Sequence, residues 1–141
     1  MRLSVIIPTF NEEDNIFTLL QHLRQHANDQ LYEIIVADGQ STDTTRAEAE
    51  KADAKVLTCP LRGRAHQMNH AAALAQGDVL YFVHADTLPP TSYLQDIAQG
   101  LGEGFKLGGY RSEFLTNNPL FRINAWFTRF SLGYSYGGDQ T

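Results

Sequence analysis

Three acids, Glu12, Asp38 and Asp86, each stand just past a short apolar run, at residues 3–8, 32–37 and 78–83. In an open α/β sheet, ligands bind beyond the carboxyl ends of the strands. A carboxylate placed there can accept from a ribose hydroxyl or a base N–H, or hold a divalent cation through oxygen. Alone, each acid reads more plainly as a helix cap or a loop acid. Three at successive strand ends point to a site.

The residues around them narrow the chemistry. No Gly-x-Gly-x-x-Gly follows the first run, and no Gly-x-x-x-x-Gly-Lys-Ser/Thr occurs, so a dinucleotide-binding dehydrogenase and a P-loop NTPase lose their strongest signatures. Bound phosphates would have to be met by a metal or by side-chain cations. The net charge is −5, with ten acids against five bases in residues 1–60 and six of each in residues 61–141. A mildly acidic chain without a Lys/Arg block argues against a nucleic-acid groove. One cysteine, Cys59, excludes a disulfide framework and fits a reducing compartment. Met1-Arg2-Leu3 leads directly into Ser4-Val5-Ile6-Ile7, so no secretory leader is expected and a cytoplasmic location follows.

These residues need a scaffold, and the pattern supplies an alternation of strand and helix. Residues 3–8 read as a strand. Ile16, Leu19, Leu20 and Leu23 recur at helical spacing, which predicts a helix over 13–26 with Glu12, Glu13 and Asp14 favourably at its positive end. Strands at 32–37, 54–58 and 78–83 alternate with helices ending near 52, at 64–76 and at 91–99. Ser41, Thr42 and Asp43 offer N-caps, and Gly77 reads as a C-cap. Residues 79–83 are so uniformly apolar that both faces of that strand are expected to be covered. The whole is one α/β domain with a mostly parallel sheet flanked by helices. Beyond residue 100 a strand at 108–114 and an aromatic helix at 120–130 are expected.

Ser4-Val5-Ile6-Ile7-Pro8-Thr9-Phe10-Asn11-Glu12 resembles the opening strand and loop of family 2 glycosyltransferases, which have the Rossmann-like GT-A fold. Residues 36–43 resemble that family's second strand-end motif. Residues 77–87 resemble the strand leading to its Asp-x-Asp motif. Arg62-Gly63-Arg64-Ala65-His66-Gln67-Met68-Asn69, with the late Gly138-Asp139-Gln140, is similar to a bacterial subgroup associated with radical-SAM and selenoprotein genes.

The resemblance implies a nucleotide-sugar donor, UDP- or GDP-linked, and a hexosyl-type, inverting transfer assisted by Mn²⁺ or Mg²⁺. Pro8, Thr9, Phe10 and Glu12 with Asp38 and Gly39 would hold the base and ribose. Arg64 would face the phosphates, and Asp86 would bind the metal. His84 replaces the motif's first Asp; a neutral imidazole can still ligate a cation, with one negative charge fewer. Residues 1–90 would form the donor half and residues 91–141 the start of the acceptor half.

Inverting transfer also needs a base for the acceptor hydroxyl. The family's Glu-Asp motif has no counterpart here, and Asp139 is the only acid after Glu113. The chain is therefore expected to be shortened at its C-terminus, with Asp139 as the one late candidate. Two other readings stand beside this one: a donor-binding fragment without turnover, and a nucleotidyltransferase of similar fold, which would want a Gly-rich, basic first loop. His22/His26 and His66/His70 are i, i+4 pairs that read as solvent-facing histidines. The 120–130 helix reads as core, or as a contact for a second copy or for the inner membrane surface near a lipid-linked acceptor.

Overall fold

The computed structural model describes residues 1–110. The chain divides into two compact units, Met1–Phe105 and Lys106–Thr141. Every helix and strand described lies in the first unit. Residues 108–110 form no strand; the rest of the expected 108–114 strand, the 120–130 helix and Asp139 lie outside the described residues.

The elements are β1 (Leu3–Thr9), α1 (Ile16–Gln25), β2 (Leu31–Asp38), α2 (Thr45–Lys51), β3 (Lys55–Thr58), α3 (Arg64–Leu74), β4 (Val79–Phe82) and α4 (Tyr93–Gly102). All four strands are parallel, in the order β3-β2-β1-β4. The chain steps outward from β1 to β3, then crosses back to place β4 on the other side of β1. The direction of winding therefore reverses between β1 and β4, where open α/β sheets form their binding crevice.

Period-2 alternation splits β1 between two cores. Leu3, Val5 and Ile7 pack with Ile34, Val36 and the α1 stripe of Ile16, Leu19, Leu20 and Leu23. Tyr93 and Leu94 of α4 close that layer. Ile6, Ile35 and Ala37 pack on the other face with Cys59 and Ala71. Each fully buried aliphatic side chain contributes about 1.5–3 kcal/mol. Tyr93 also donates its hydroxyl to the Leu23 carbonyl at 3.0 Å, fixing α4 on α1.

Pro8 opens the crevice. The β1–β4 pairing runs from Leu3↔Val79 to Ile6↔Phe82, and Val83 N–H donates to Ile6 O at 3.0 Å. Along β1, the donors facing one neighbour come from every second residue, so the next would be residue 8. Proline has no N–H, and the ladder stops while β1 and β2 stay paired to Thr9↔Asp38.

Several expectations are corrected. Helix α1 begins at Ile16, because Asn11 turns the chain at φ 54° and the Glu12 carbonyl accepts from Asn15 and Ile16 N–H. No acid lies in its first turn. Gly77 does not cap α3, which ends at Ala75 in extended conformation. Gly77 is instead a close approach: a Cβ there would lie 2.5 Å from Ser4 Oγ and 2.7 Å from Arg2 O. Among the described residues β4 is not covered on both faces: Leu80 (39%) and Phe82 (42%) are exposed. His22 is not solvent-facing either; its Nε2 is 2.7 Å from the Pro89 carbonyl, tying α1 to the segment after β4. Among the described residues no helix is long and apolar enough to cross a membrane.

Candidate functional site

The loops after β1 and β2 are joined by two hydroxyl relays of the same design. Asn11 N–H donates to Ser41 Oγ at 2.9 Å, and Ser41 Oγ donates to Asp38 Oδ1. Glu12 N–H donates to Thr45 Oγ1 at 2.8 Å, and Thr45 Oγ1 donates to Asp43 Oδ1. A hydroxyl can accept and donate at once, so each relay links a first-loop amide to a second-loop carboxylate. Asn11 Oδ1 completes the join by accepting from Thr42 N–H at 2.9 Å. Burial would raise the pKa of Asp43, but hydrogen bonds from Thr45 Oγ1, Thr45 N–H and Glu13 N–H outweigh it and hold the carboxyl below its ordinary range.

Asp38 is the centre of this join. Its side chain is fully buried (0%). It accepts from Ser41 N–H at 2.9 Å, from Ser41 Oγ, and from Thr9 Oγ1 at 3.4 Å, with Arg46 Nε 3.9 Å away. A buried carboxylate must have its lone pairs occupied, and here the protein occupies them. Asp38 shapes the loop that a ligand would meet.

Above the two strand ends sits an aromatic and a cation. Phe10 is 42% exposed. The Arg62 guanidinium lies 4.1 Å from its ring centroid, and Arg62 Nε donates to Gly39 O at 3.2 Å. Below them, Gln67 Nε2 lies 2.7 Å from both Thr9 O and Ala37 O. Burial and the nearby Asp38 carboxylate push the Cys59 thiol up, so it stays protonated at neutral pH.

The structure thus gathers Pro8, Thr9, Phe10, Glu12, Asp38 and Gly39 around the β1 and β2 ends. Glu12 is half-buried, and its Oε2 accepts from Asn15 Nδ2 at 2.9 Å. Arg64 is exposed as the first residue of α3. His84 and Asp86 are exposed on the turn after β4, across the switch point from the joined loops. Asp86 Oδ1 accepts from Thr87 Oγ1 at 3.3 Å. Among the described residues no three of His, Cys, Asp and Glu converge on one point. His84 and Asp86 can therefore offer two donors, and further ligands would come from a bound diphosphate and water, the usual way Mg²⁺ is held.

Sequence reasoning gives no role in joining the loops to Asn11, Ser41, Thr45, Arg62 or Gln67, although Ser41 reads as a cap and Asn11, Arg62 and Gln67 stand in the family-like motifs. One signal was present. Gln67 falls four residues before Ala71 on the inward face of α3, a polar residue at a core position. The cleft between Phe17, Arg24 and Lys51 lies at the other edge of the sheet, where Arg24 Nε donates to Ala52 O at the end of α2.

A family model described as glycosyl transferase family 2 matches residues 4–137. The chain belongs to this family. Its fold is GT-A. Among relatives of this family 2 chain is YfnE, an uncharacterized glycosyltransferase of Bacillus subtilis (strain 168), 37% identical over 93 residues, which are 62% of this chain and 24% of that one. Dolichol-phosphate mannosyltransferase of Pyrococcus furiosus is 28% identical over 109 residues, 74% of this chain and 31% of that one. The chain spans about a quarter to a third of the length of these curated relatives. Among solved structures, glucosyl-3-phosphoglycerate synthase from Mycobacterium tuberculosis in complex with Mn²⁺, UDP-glucose and phosphoglyceric acid matches with a TM-score of 0.65 and 27% identity, over 74% of this chain and 41% of that chain.

Proposed function

We propose that this chain binds a UDP- or GDP-linked sugar at the ends of β1, β2 and β4, as the donor half of an inverting hexosyltransferase. The observation that carries this reading is the pair of loops locked together beside the switch point, with Phe10, Arg62, His84 and Asp86 displayed around them. Phe10 would stack on the base. Glu12 and the Gly39 backbone would meet the ribose. Arg64 would face the diphosphate. Residues 1–90 form the donor half on this reading, and residues 91–141 begin the acceptor half. The run at 62–69 supports the radical-SAM-associated bacterial subgroup.

In the transfer, the acceptor oxygen forms a bond to the anomeric carbon. The bond from that carbon to the diphosphate breaks, and its electron pair leaves with the diphosphate. The acceptor's proton passes to a carboxylate, assigned here to Asp139. Arg64 lowers the barrier because negative charge on the diphosphate is greater in the transition state than in the ground state. A divalent cation held by Asp86 and His84 would supply further charge neutralisation on the leaving group; the Mn²⁺ and UDP-glucose of the solved mycobacterial relative support a divalent cation beside the donor. A lipid-linked acceptor met at the inner membrane face completes the reading.

Calorimetry with UDP and with GDP, each with Mn²⁺ and again with EDTA, tests it. Binding strengthened by the metal is expected. If neither nucleotide binds, the donor reading fails. Measuring diphosphate released from UDP- and GDP-sugars then separates a transferase from a donor-binding unit: binding without release is the signature of the latter.

A further inference from the structure

We propose that Gln67 is the positioning residue of this site: its side-chain amide sets the spacing and level of the β1 and β2 ends on which the donor rests. This deepens the donor reading above and rests on it.

Gln67 lies in the first turn of α3 and is 96% removed from solvent, at 4% exposure. Its Nε2 is 2.7 Å from Thr9 O and 2.7 Å from Ala37 O. An amide nitrogen carries two protons, so one group holds both carbonyls, one from each strand. The orientation is forced, because an amide oxygen turned toward two carbonyl oxygens would be repelled. Thr9 O also accepts from Gly39 N–H at 2.8 Å. The carbonyl at the end of β1 is thus held by the first residue beyond β2 and by α3 together.

Gly39 fits the same account. Its φ is not in the left-handed region, so conformation does not demand glycine there. Space does: a Cβ would lie 3.0 Å from Gln67 Nε2 and 3.1 Å from Gln67 Cδ. The amide fills the volume that any other residue at 39 would claim. Gly39 O in turn receives Arg62 Nε, and Arg62 covers Phe10. Moving the Gln67 amide would move Thr9 and Gly39, and through them the surface offered to the base and ribose. Core packing alone would be served by a leucine; only a side chain with two N–H donors can bind both strand-end carbonyls at once.

The test has two arms. In the first, Kd for UDP and GDP with Mn²⁺ is measured for wild type, Gln67→Leu and Gln67→Glu. Gln67→Leu keeps volume and removes both donors. Weakening of about tenfold is expected, the low end of what partners that orient a binding group contribute. In Gln67→Glu, burial holds the carboxyl protonated above its usual value of about 4.3. The acid form can donate one bond and the anion none. The ratio of variant to wild-type Kd should therefore fall as pH falls and stop short of one, because only one of the two bonds returns, a trend that a packing role would not produce. Gly39→Ala should weaken binding in the wild type and add nothing in Gln67→Ala, which covers the case in which Gln67→Leu fails to fold.

The second arm needs no nucleotide. Amide exchange at residues 9–12 and 38–43 should quicken in Gln67→Leu while β1 and β2 interiors stay protected. Wild-type affinity in a folded Gln67→Leu, or unchanged exchange in those loops, overturns the proposal. If wild type binds neither nucleotide, the donor reading falls, and the exchange arm alone decides whether Gln67 positions the strand ends.

Discussion

The guanidinium of Arg62 stands 4.1 Å above the ring centroid of Phe10, a contact between the β3–α3 loop and the end of β1. An exposed cation–π pair contributes about 0.5–1 kcal/mol, too little to be needed for folding. A double-mutant cycle on unfolding free energy should return a coupling of that size. Phe10→Ala should weaken UDP or GDP binding by about 1–3 kcal/mol, the worth of one base–aromatic stack. An unchanged Kd would remove Phe10 from the base site.

Asp38→Ala removes a buried carboxylate that accepts from Ser41 N–H, Ser41 Oγ and Thr9 Oγ1. Hydrogen bonds to a charged group contribute about 1.5–3 kcal/mol each. A loss of unfolding free energy of about 2–4 kcal/mol is expected in chemical denaturation, together with weaker nucleotide binding. Asp38→Asn, which keeps one acceptor, should lose less. Undiminished stability with lost binding would mean that Asp38 meets the ligand directly.

Asp43 has its pKa held below the ordinary value by hydrogen bonds from Thr45 and Glu13 that outweigh its burial. The folded state therefore prefers the ionised form. That stabilisation is complete above the unfolded-state value of about 4 and is lost as pH falls through the lower folded value. Melting temperature should drop on acidification below about pH 4, and less steeply in Asp43→Asn. Parallel acid profiles for the two proteins would show that Asp43 does not contribute.

Asp86 is exposed on the turn after β4, with Thr87 Oγ1 on one of its oxygens. Asp86→Ala should leave the fold unchanged, since exposed positions of this kind shift stability by about 0.5 kcal/mol or less. It should also make nucleotide affinity insensitive to EDTA. Metal-strengthened binding that survives in Asp86→Ala would place the cation elsewhere.

Much of this was legible in the residues. The apolar runs and the 3.6-residue stripe on α1 set the alternation of parallel strands and helices, because burial periodicity is a local property of the chain. The strand-end positions of Glu12, Asp38 and Asp86 followed from it. What each side chain faces was not local. Asp38 and Asp86 occupy like places in the pattern, yet one is sealed by Ser41 of its own loop and Thr9 of β1 while the other is exposed. Leu80 and Phe82 are exposed among the described residues although their run reads as buried on both faces, because what packs on a sheet face is set by tertiary structure. Gly77 reads as a helix stop until Ser4, distant in sequence, is seen in the space its side chain would need. Gln67 looks like one polar residue in an Ala-rich helix; only when β1 and β2 lie side by side do two carbonyls converge on its amide. Local pattern alone thus places the strands and helices of residues 1–102 to within a few residues, and the end of the sheet where chemistry belongs. Packing selects which polar groups are consumed in holding that end together and which are left to meet a ligand, since hydrogen bonds between segments about 30 to 60 residues apart depend on strand order, which no local pattern encodes.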